Sequence, residues 1–178
     1  MRMYRRGRMP SSQTRIEPAS LEDLPQLADL LADLFSHEAD FRPDHEKQMR
    51  GLRLILEQPN RGRIFVLRAG DHRIIGMVNL LITISTAEGG FVLLLEDLVI
   101  HHDHRGRGFG EEMLKYAVDY AQKKNFYRIT LLTDRIDEPS QRFFRKHGFV
   151  SSEMIPMRLL LAPVSPGDRR GPVITPRL

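Results

Sequence analysis

Cysteine is absent from all 178 residues. That excludes disulfides, cysteine-ligated zinc, iron–sulfur clusters, a thiol nucleophile and a cysteinyl acyl-enzyme. Long apolar runs are missing as well. Phe91–Leu95 is cut off by Glu96 and Asp97, far short of the ~18 residues a membrane-spanning helix needs. The basic first ten residues lead into no apolar segment, so no secretory leader is expected. These absences together predict a cytoplasmic protein with no membrane partner. What remains is ordinary for one globular domain, with 41% hydrophobic and 28% charged residues. A chain of this length buries about 70% of its unfolded surface, enough for a core and an internal site.

The formal net charge of +4 invites a nucleic-acid reading until it is located. Residues 1–13 carry Arg2, Arg5, Arg6 and Arg8 with no acid, and residues 162–178 carry Arg169, Arg170 and Arg177 against Asp168. The body between them is therefore mildly acidic. Both ends hold Pro, Ser and Gly punctuation, including Pro10-Ser11-Ser12 and Pro166-Gly167. They read as flexible tails flanking a domain at 14–161. Basic tails are not a groove-facing surface, so a nucleic-acid partner is not expected.

The body contains no internal repeat. Thr14–Pro18 reads as a first strand, and Ser20 with Asp23 as a helix cap. Leu21, Leu24, Leu27, Leu30, Leu31, Leu34 and Phe35 follow at helical spacing. Met49, Leu52, Ile55 and Leu56 mark a second helix ended by Pro59-Asn60. Arg63–Ala69, Arg73–Thr86 and Phe91–His101 read as strands, with Gly76 a bulge or a close approach. A helix at Gly108–Lys124, a strand at Arg128–Thr133, a short helix at Asp137–Lys146 and a closing strand or pair at Phe149–Leu161 complete the order. The class is α+β, a mixed sheet flanked by helices.

Chemistry concentrates between Glu96 and Gly110, where an apolar strand runs into a glycine-rich turn that opens a helix. Such a turn aims several N–H groups at one place, and the helix dipole adds about half a positive charge. Gly106, Gly108 and Gly110 let a bulky anion approach the backbone, while Arg105 and Arg107 add charge. The spacing is neither Walker A nor the dinucleotide fingerprint. The pattern nonetheless describes a pyrophosphate cradle. Glu96 and Asp97 interrupt the strand, and charge there is costly unless used or paired. Strand alternation puts the two on opposite faces. The same alternation separates His101 from His102, so the run His101-His102-Asp103-His104 is not expected to hold a metal. Glu38, Asp40, Asp44 and Glu46 lie between the first two helices and would favour a cationic partner.

Arg105-x-x-Gly108-x-Gly110, followed by Asp137-x-x-Ser140-x-x-Phe143-Phe144 and Gly148-Phe149, resembles the signature of the GNAT N-acetyltransferase superfamily. Element order extends the resemblance over about 14–161, and the motifs lie within 96–149. Glu96-Asp97 and Glu138-Pro139-Ser140 look most like the spermidine/spermine-type amine acetyltransferases. The resemblance implies a mostly antiparallel central sheet with about four helices, and acetyl-CoA as co-substrate without a metal. It implies direct acetyl transfer to a primary amine of a small, cationic molecule or peptide.

By the same resemblance, the amides of Arg105, Gly106, Arg107, Gly108, Phe109 and Gly110 would hold the CoA pyrophosphate. Leu98, Val99 and Ile100 would run beside the pantetheine arm, and Phe144 would line the cofactor. Arg107 or Lys146 could pair with the 3′-phosphate. An N–H near Leu98 would stabilise the oxyanion. Glu96 sits where the family's base often sits, with Asp97 as the fallback. Phe144 replaces the tyrosine that commonly protonates the departing thiolate, and a phenyl ring donates no proton. Tyr116, Tyr127 and His147 are the substitutes by elimination. Phe144 therefore keeps a second reading open, a non-catalytic CoA-binding module of the same fold. A homodimer is compatible with the sequence and not required by it.

Overall fold

A computed structural model describes residues 14–36, 43–159 and 161. The chain divides into two compact units, one ending at Asp137 and the other starting at Glu138. The basic tails and Glu38 and Asp40 of the acidic segment lie outside the described residues.

In the first unit, β1 (Arg15–Pro18) leads through a 3₁₀ turn at Leu21–Asp23 into α1 (Leu24–Phe35). The Asp23 carboxylate accepts from the backbone N–H and the hydroxyl of Ser20 at 2.8 and 3.2 Å. It thereby satisfies a donor that the helix start leaves without a partner. Pro25 sits in the first turn of α1, where its missing N–H costs nothing. α2 (His45–Leu56) starts at Asp44, whose side chain accepts from the Lys47 N–H at 3.1 Å. The strands β2 (Gly62–Arg68), β3 (Ile74–Ser85) and β4 (Gly90–Ile100) then form a meander. α3 (Phe109–Lys123) follows β4, and β5 (Ile129–Leu131) comes last.

The sheet order is β1-β2-β3-β4-β5. The first four strands pair antiparallel and β5 adds parallel to β4. The crossover between β4 and β5 is α3, as parallel neighbours require. Leu27, Leu30, Leu31 and Leu52 from α1 and α2 pack with Ile64, Val66, Met77 and Val99 of the sheet in one buried cluster. The opposite face carries α3. A Cβ on Gly76 would lie 3.1 Å from Met113 Sδ and 2.5 Å from Ile100 Cδ1, so this glycine marks a close approach. Arg68 ties β1, β2 and the first turn together. Its Nη2 donates to both Asp23 oxygens at 2.8 Å and its Nε to Glu17.

The second unit holds α4 (Glu138–Lys146). Gly148 takes φ +88°, and Phe149 N–H and Gly148 N–H bond back to the carbonyls of Phe144 and Arg145. This double closure satisfies the last carbonyls of the helix, and the left-handed residue is the expected glycine. One expectation fails here. The closing strand or pair at Phe149–Leu161 does not form. The described residues of 150–161 carry no regular structure, and Val150, Met154, Ile155, Met157, Leu159 and Leu161 are exposed. The segment is rich in apolar residues, but only a ladder partner makes a strand, and none pairs with it among the described residues. No helix among the described residues is long and apolar enough to cross a membrane.

Candidate active site

β4 is regular up to Leu95, which faces Leu80 of β3. The next residue of β3, Asn79, faces Asp97 rather than Glu96. Glu96 is therefore the extra residue of a β-bulge, pushed out of the ladder and exposed. Asp97 stays in register and is buried, at 7% exposure. Asn79 also faces Ile64, a member of the α1/α2 core cluster, so Asp97 turns toward that face. Glu96 is exposed and Asp97 is buried, and the alternation from which opposite faces were expected is interrupted between them by the bulge.

Asn79 Nδ2 donates to Asp97 Oδ2 at 2.9 Å, while the Asn79 carbonyl oxygen is buried with no partner. Burial pushes the Asp97 carboxyl up to about 6; the neighbouring Glu96 charge adds to the rise, and the Asn79 hydrogen bond opposes it. Asn79 was not anticipated from the sequence. Its signal was one polar residue inside the apolar run Ile74–Ile82.

β5 pairs with β4 only from Leu93 to Leu95. Beyond that point the edge of β4 has no strand opposite it among the described residues. His101 N–H bonds to the Ile75 carbonyl on the β3 side at 2.9 Å. Two-residue alternation then points the backbone groups of Leu98 and Ile100 to the open side and those of Val99 toward β3. The carbonyl of Ile100 is taken by Arg105 Nε at 2.9 Å. This opening is where the family resemblance would put the pantetheine arm.

The open edge leads straight into the cradle. Gly106 and Gly108 have φ +73° and +86°, and no atom lies within 4 Å of where their Cβ would be. Gly108 is the N-cap of α3 and supplies no side-chain cap. The N–H groups of Phe109 and Gly110 therefore open the helix without a side-chain partner from the cap position. The backbone is left-handed where only glycine sits at ease, and the space before it is clear. These residues fit a pyrophosphate group.

The two arginines differ. Arg105 Nη2 donates to Asp33 Oδ2 of α1 at 2.6 Å, so this side chain staples the turn to α1. Arg107 is exposed.

Within the first unit, Tyr127, Tyr116, Asp44 and Glu46 do not join this site. Tyr127 lies beside Gly90, at the far end of β4, eight residues from Leu98 and so roughly 26 Å along the strand. Tyr116 packs edge-on against Phe65 with ring centroids 5.0 Å apart. Asp44 and Glu46 hold Lys47 and Arg50 of their own helix, at 2.9 and 3.8 Å. Phe144, Lys146 and His147 belong to the second unit. There Phe144 stacks edge-on with Phe143 and Phe149, and His147 Nδ1 lies 2.7 Å from the Phe143 carbonyl.

His101 and His102 do not face apart. The strand ends at Ile100, and His101 caps a 3₁₀ turn at His102–His104, so the rings stack with centroids 4.3 Å apart.

A profile described as the acetyltransferase (GNAT) family matches residues 24–149. Streptothricin acetyltransferase A of Bacillus subtilis (strain 168) is 32% identical over 57 residues, 32% of this chain and 33% of that protein. The match thus spans about a third of that relative's length. Aminoalkylphosphonate N-acetyltransferase of Salmonella typhimurium is 24% identical over 134 residues, 75% of this chain and 83% of that protein. Among solved structures, a possible acetyltransferase from Clostridium difficile 630 superposes with a TM-score of 0.77 at 13% identity. It covers 84% of this chain and 99% of its own. The profile spans β2 to β5, the bulge and the cradle together, and on that ground the chain belongs to the acetyltransferase (GNAT) family.

Proposed function

We propose that the protein transfers the acetyl group of acetyl-CoA directly to a primary amine of a small, cationic molecule or peptide. The observation that carries this reading is continuity. The unpaired edge of β4 at Leu98–Ile100 runs without a break into a left-handed glycine turn and the uncapped start of α3. An extended chain ending in a pyrophosphate fits such a surface. A thioester bound there supplies an activated acyl group on a thiolate leaving group.

The chain's own residues do the rest. Amides from Arg105 to Gly110 bind and orient the pyrophosphate, with Arg107 as the charged neighbour. The Leu98 N–H, aimed off the open edge, donates to charge developing on a carbonyl oxygen. Aliphatic amines are mostly protonated near neutrality, so an acceptor must lose a proton before it attacks. Glu96, exposed on the bulge two residues before Leu98, takes that proton directly or through water. Asp97 lies behind it and acts through Asn79 and the bulge. The name of the Salmonella relative specifies an aminoalkyl compound, which supports an amine acceptor. With no cysteine in the chain, a cysteinyl acyl-enzyme is excluded and direct transfer is favoured.

Release of free CoA thiol against a panel of polyamines, aminoglycosides, amino acids and peptide N-termini tests the reading. Glu96→Gln is expected to keep acetyl-CoA binding and to lower turnover by roughly 10²–10⁴ near neutrality. Part of that loss should return at higher pH, where more of the amine arrives neutral. Equal turnover of wild type and variant across pH removes Glu96 from the chemistry. One observation favours a second reading. Phe144 supplies no proton donor, and neither Tyr116 nor Tyr127 sits at the open edge. Acetyl-CoA binding with no thiol release for any amine would select the non-catalytic binding module.

A further inference from the structure

Three donors converge at the junction of β4 and the cradle. His101, His102 and Asp103 each offer one ligand atom, all within 4.8 Å of one another. The Asp103 carboxylate lies near one nitrogen of each ring. Its Oδ2 is 3.8 Å from His101 Nδ1 and its Oδ1 is 3.4 Å from His102 Nε2. Around one zinc ion with nitrogen and oxygen bonds near 2.0–2.2 Å, tetrahedral donors lie about 3.4 Å apart. Rotation of the exposed His102 and Asp103 side chains, which unstacks the His102 ring from His101, closes the remaining gap.

One further observation points the same way. On the far side of His102, Asp33 Oδ1 lies 3.6 Å from Nδ1. A carboxylate behind one ring nitrogen leaves the other, here the one facing Asp103, as the metal-binding atom. Asp33 also receives Arg105 at 2.6 Å, so the same carboxylate serves this cluster and the cradle.

We propose that His101, His102 and Asp103 form a three-ligand site for a borderline divalent cation such as zinc, with Asp33 orienting His102 and a water completing the coordination. The site arises because the chain leaves the strand at Ile100. A continued strand would have sent the two rings to opposite faces.

The test uses the full chain without an affinity tag, stripped with chelator and titrated with zinc chloride in a non-coordinating buffer. No acetyl-CoA or amine is present, so the outcome is independent of the acetyl-transfer reading. One zinc per chain is expected, and cobalt(II) at the same site should show the visible absorption of a low-coordinate ion. His102→Ala and Asp103→Asn should each weaken binding at least tenfold, and Asp33→Asn by roughly tenfold. Far-UV circular dichroism checks that each variant folds. If His102→Ala does not, the isosteric Asp103→Asn decides. No saturable zinc binding by the wild type overturns the proposal, as does wild-type affinity in Asp103→Asn or in a folded His101→Ala/His102→Ala double variant.

Discussion

Asp97→Asn should stabilise the protein at neutral pH and leave it nearly unchanged at pH 4. Asp97 is 7% exposed, and burial raises its carboxyl from 3.8 to about 6. Between those values the folded state holds a proton that the unfolded chain has released. Stability is therefore full below about pH 4, falls as pH rises toward 6, and stays low above it. A rise of about two units corresponds to about 3 kcal/mol. The amide variant removes the charge and keeps the shape. Its oxygen can accept from Asn79 Nδ2 as Asp97 Oδ2 does now, at 2.9 Å. Its new N–H can donate to the Asn79 oxygen, which is buried without a partner. Both partners gain, so no new unsatisfied group offsets the relief.

The chain has no tryptophan, so unfolding is best followed by far-UV circular dichroism at pH 4, 5.5 and 7.5. Asp97 lies in the unit that ends at Asp137, and the transition to follow is that unit's. At roughly 2–4 °C per kcal/mol for a chain of this size, Asp97→Asn should melt roughly 6–12 °C higher than wild type at pH 7.5. The gap should shrink to almost nothing at pH 4. A variant that is less stable at pH 7.5, or whose profile parallels wild type at all three values, refutes the assignment of a strained buried carboxylate.

Gly108→Val forces a β-branched residue to φ +86°. With no atom within 4 Å of the new Cβ, it should cost about 1–2 kcal/mol and erase most of the melting-temperature rise that acetyl-CoA gives to wild type in a thermal-shift titration. Arg68→Ala leaves the Asp23 carboxylate, 7% exposed in its side chain, without its bidentate partner. It should cost about 3–5 kcal/mol in urea unfolding, while Arg105→Ala, in a pair 45% and 21% exposed, should cost well under half of that.

Much of this was legible in the sequence, for reasons visible in single residues. Leucines at helical spacing with Ser20 and Asp23 in front could only be a capped helix, and Gly108 was readable because few other residues open a helix in the left-handed region. Of the acidic run, Asp44 caps α2 and Glu46 reaches Arg50, because the residue types that attract cations also cap helices and pair along them; Glu38 and Asp40 lie outside the described residues. The segment after Phe149 is rich in apolar residues, but apolar content does not say whether a ladder partner exists. The histidine cluster was hidden by a boundary. One residue more of strand and the rings separate; ending at Ile100, they meet.

The bulge explains how adjacent carboxylates can hold different roles. Leu95 facing Leu80 and Asp97 facing Asn79 are successive pairs of one ladder, so the sheet continues as though Glu96 were not there. Glu96 is thus added to the strand at little cost in burial, free to meet solvent and an incoming amine. Asp97 keeps its place in the ladder, and its charge is buried there at the expense of stability. The two should leave traces of different kinds. Removing the charge at 97 should appear first in the pH dependence of unfolding, because that is where its free energy is stored. Removing it at 96 should move unfolding only slightly, through the small rise that its charge gives Asp97, and appear chiefly in the pH dependence of turnover. If Glu96→Gln instead shifts the unfolding profile and Asp97→Asn the turnover profile, the in-register residue is the proton acceptor and the bulged one is structural.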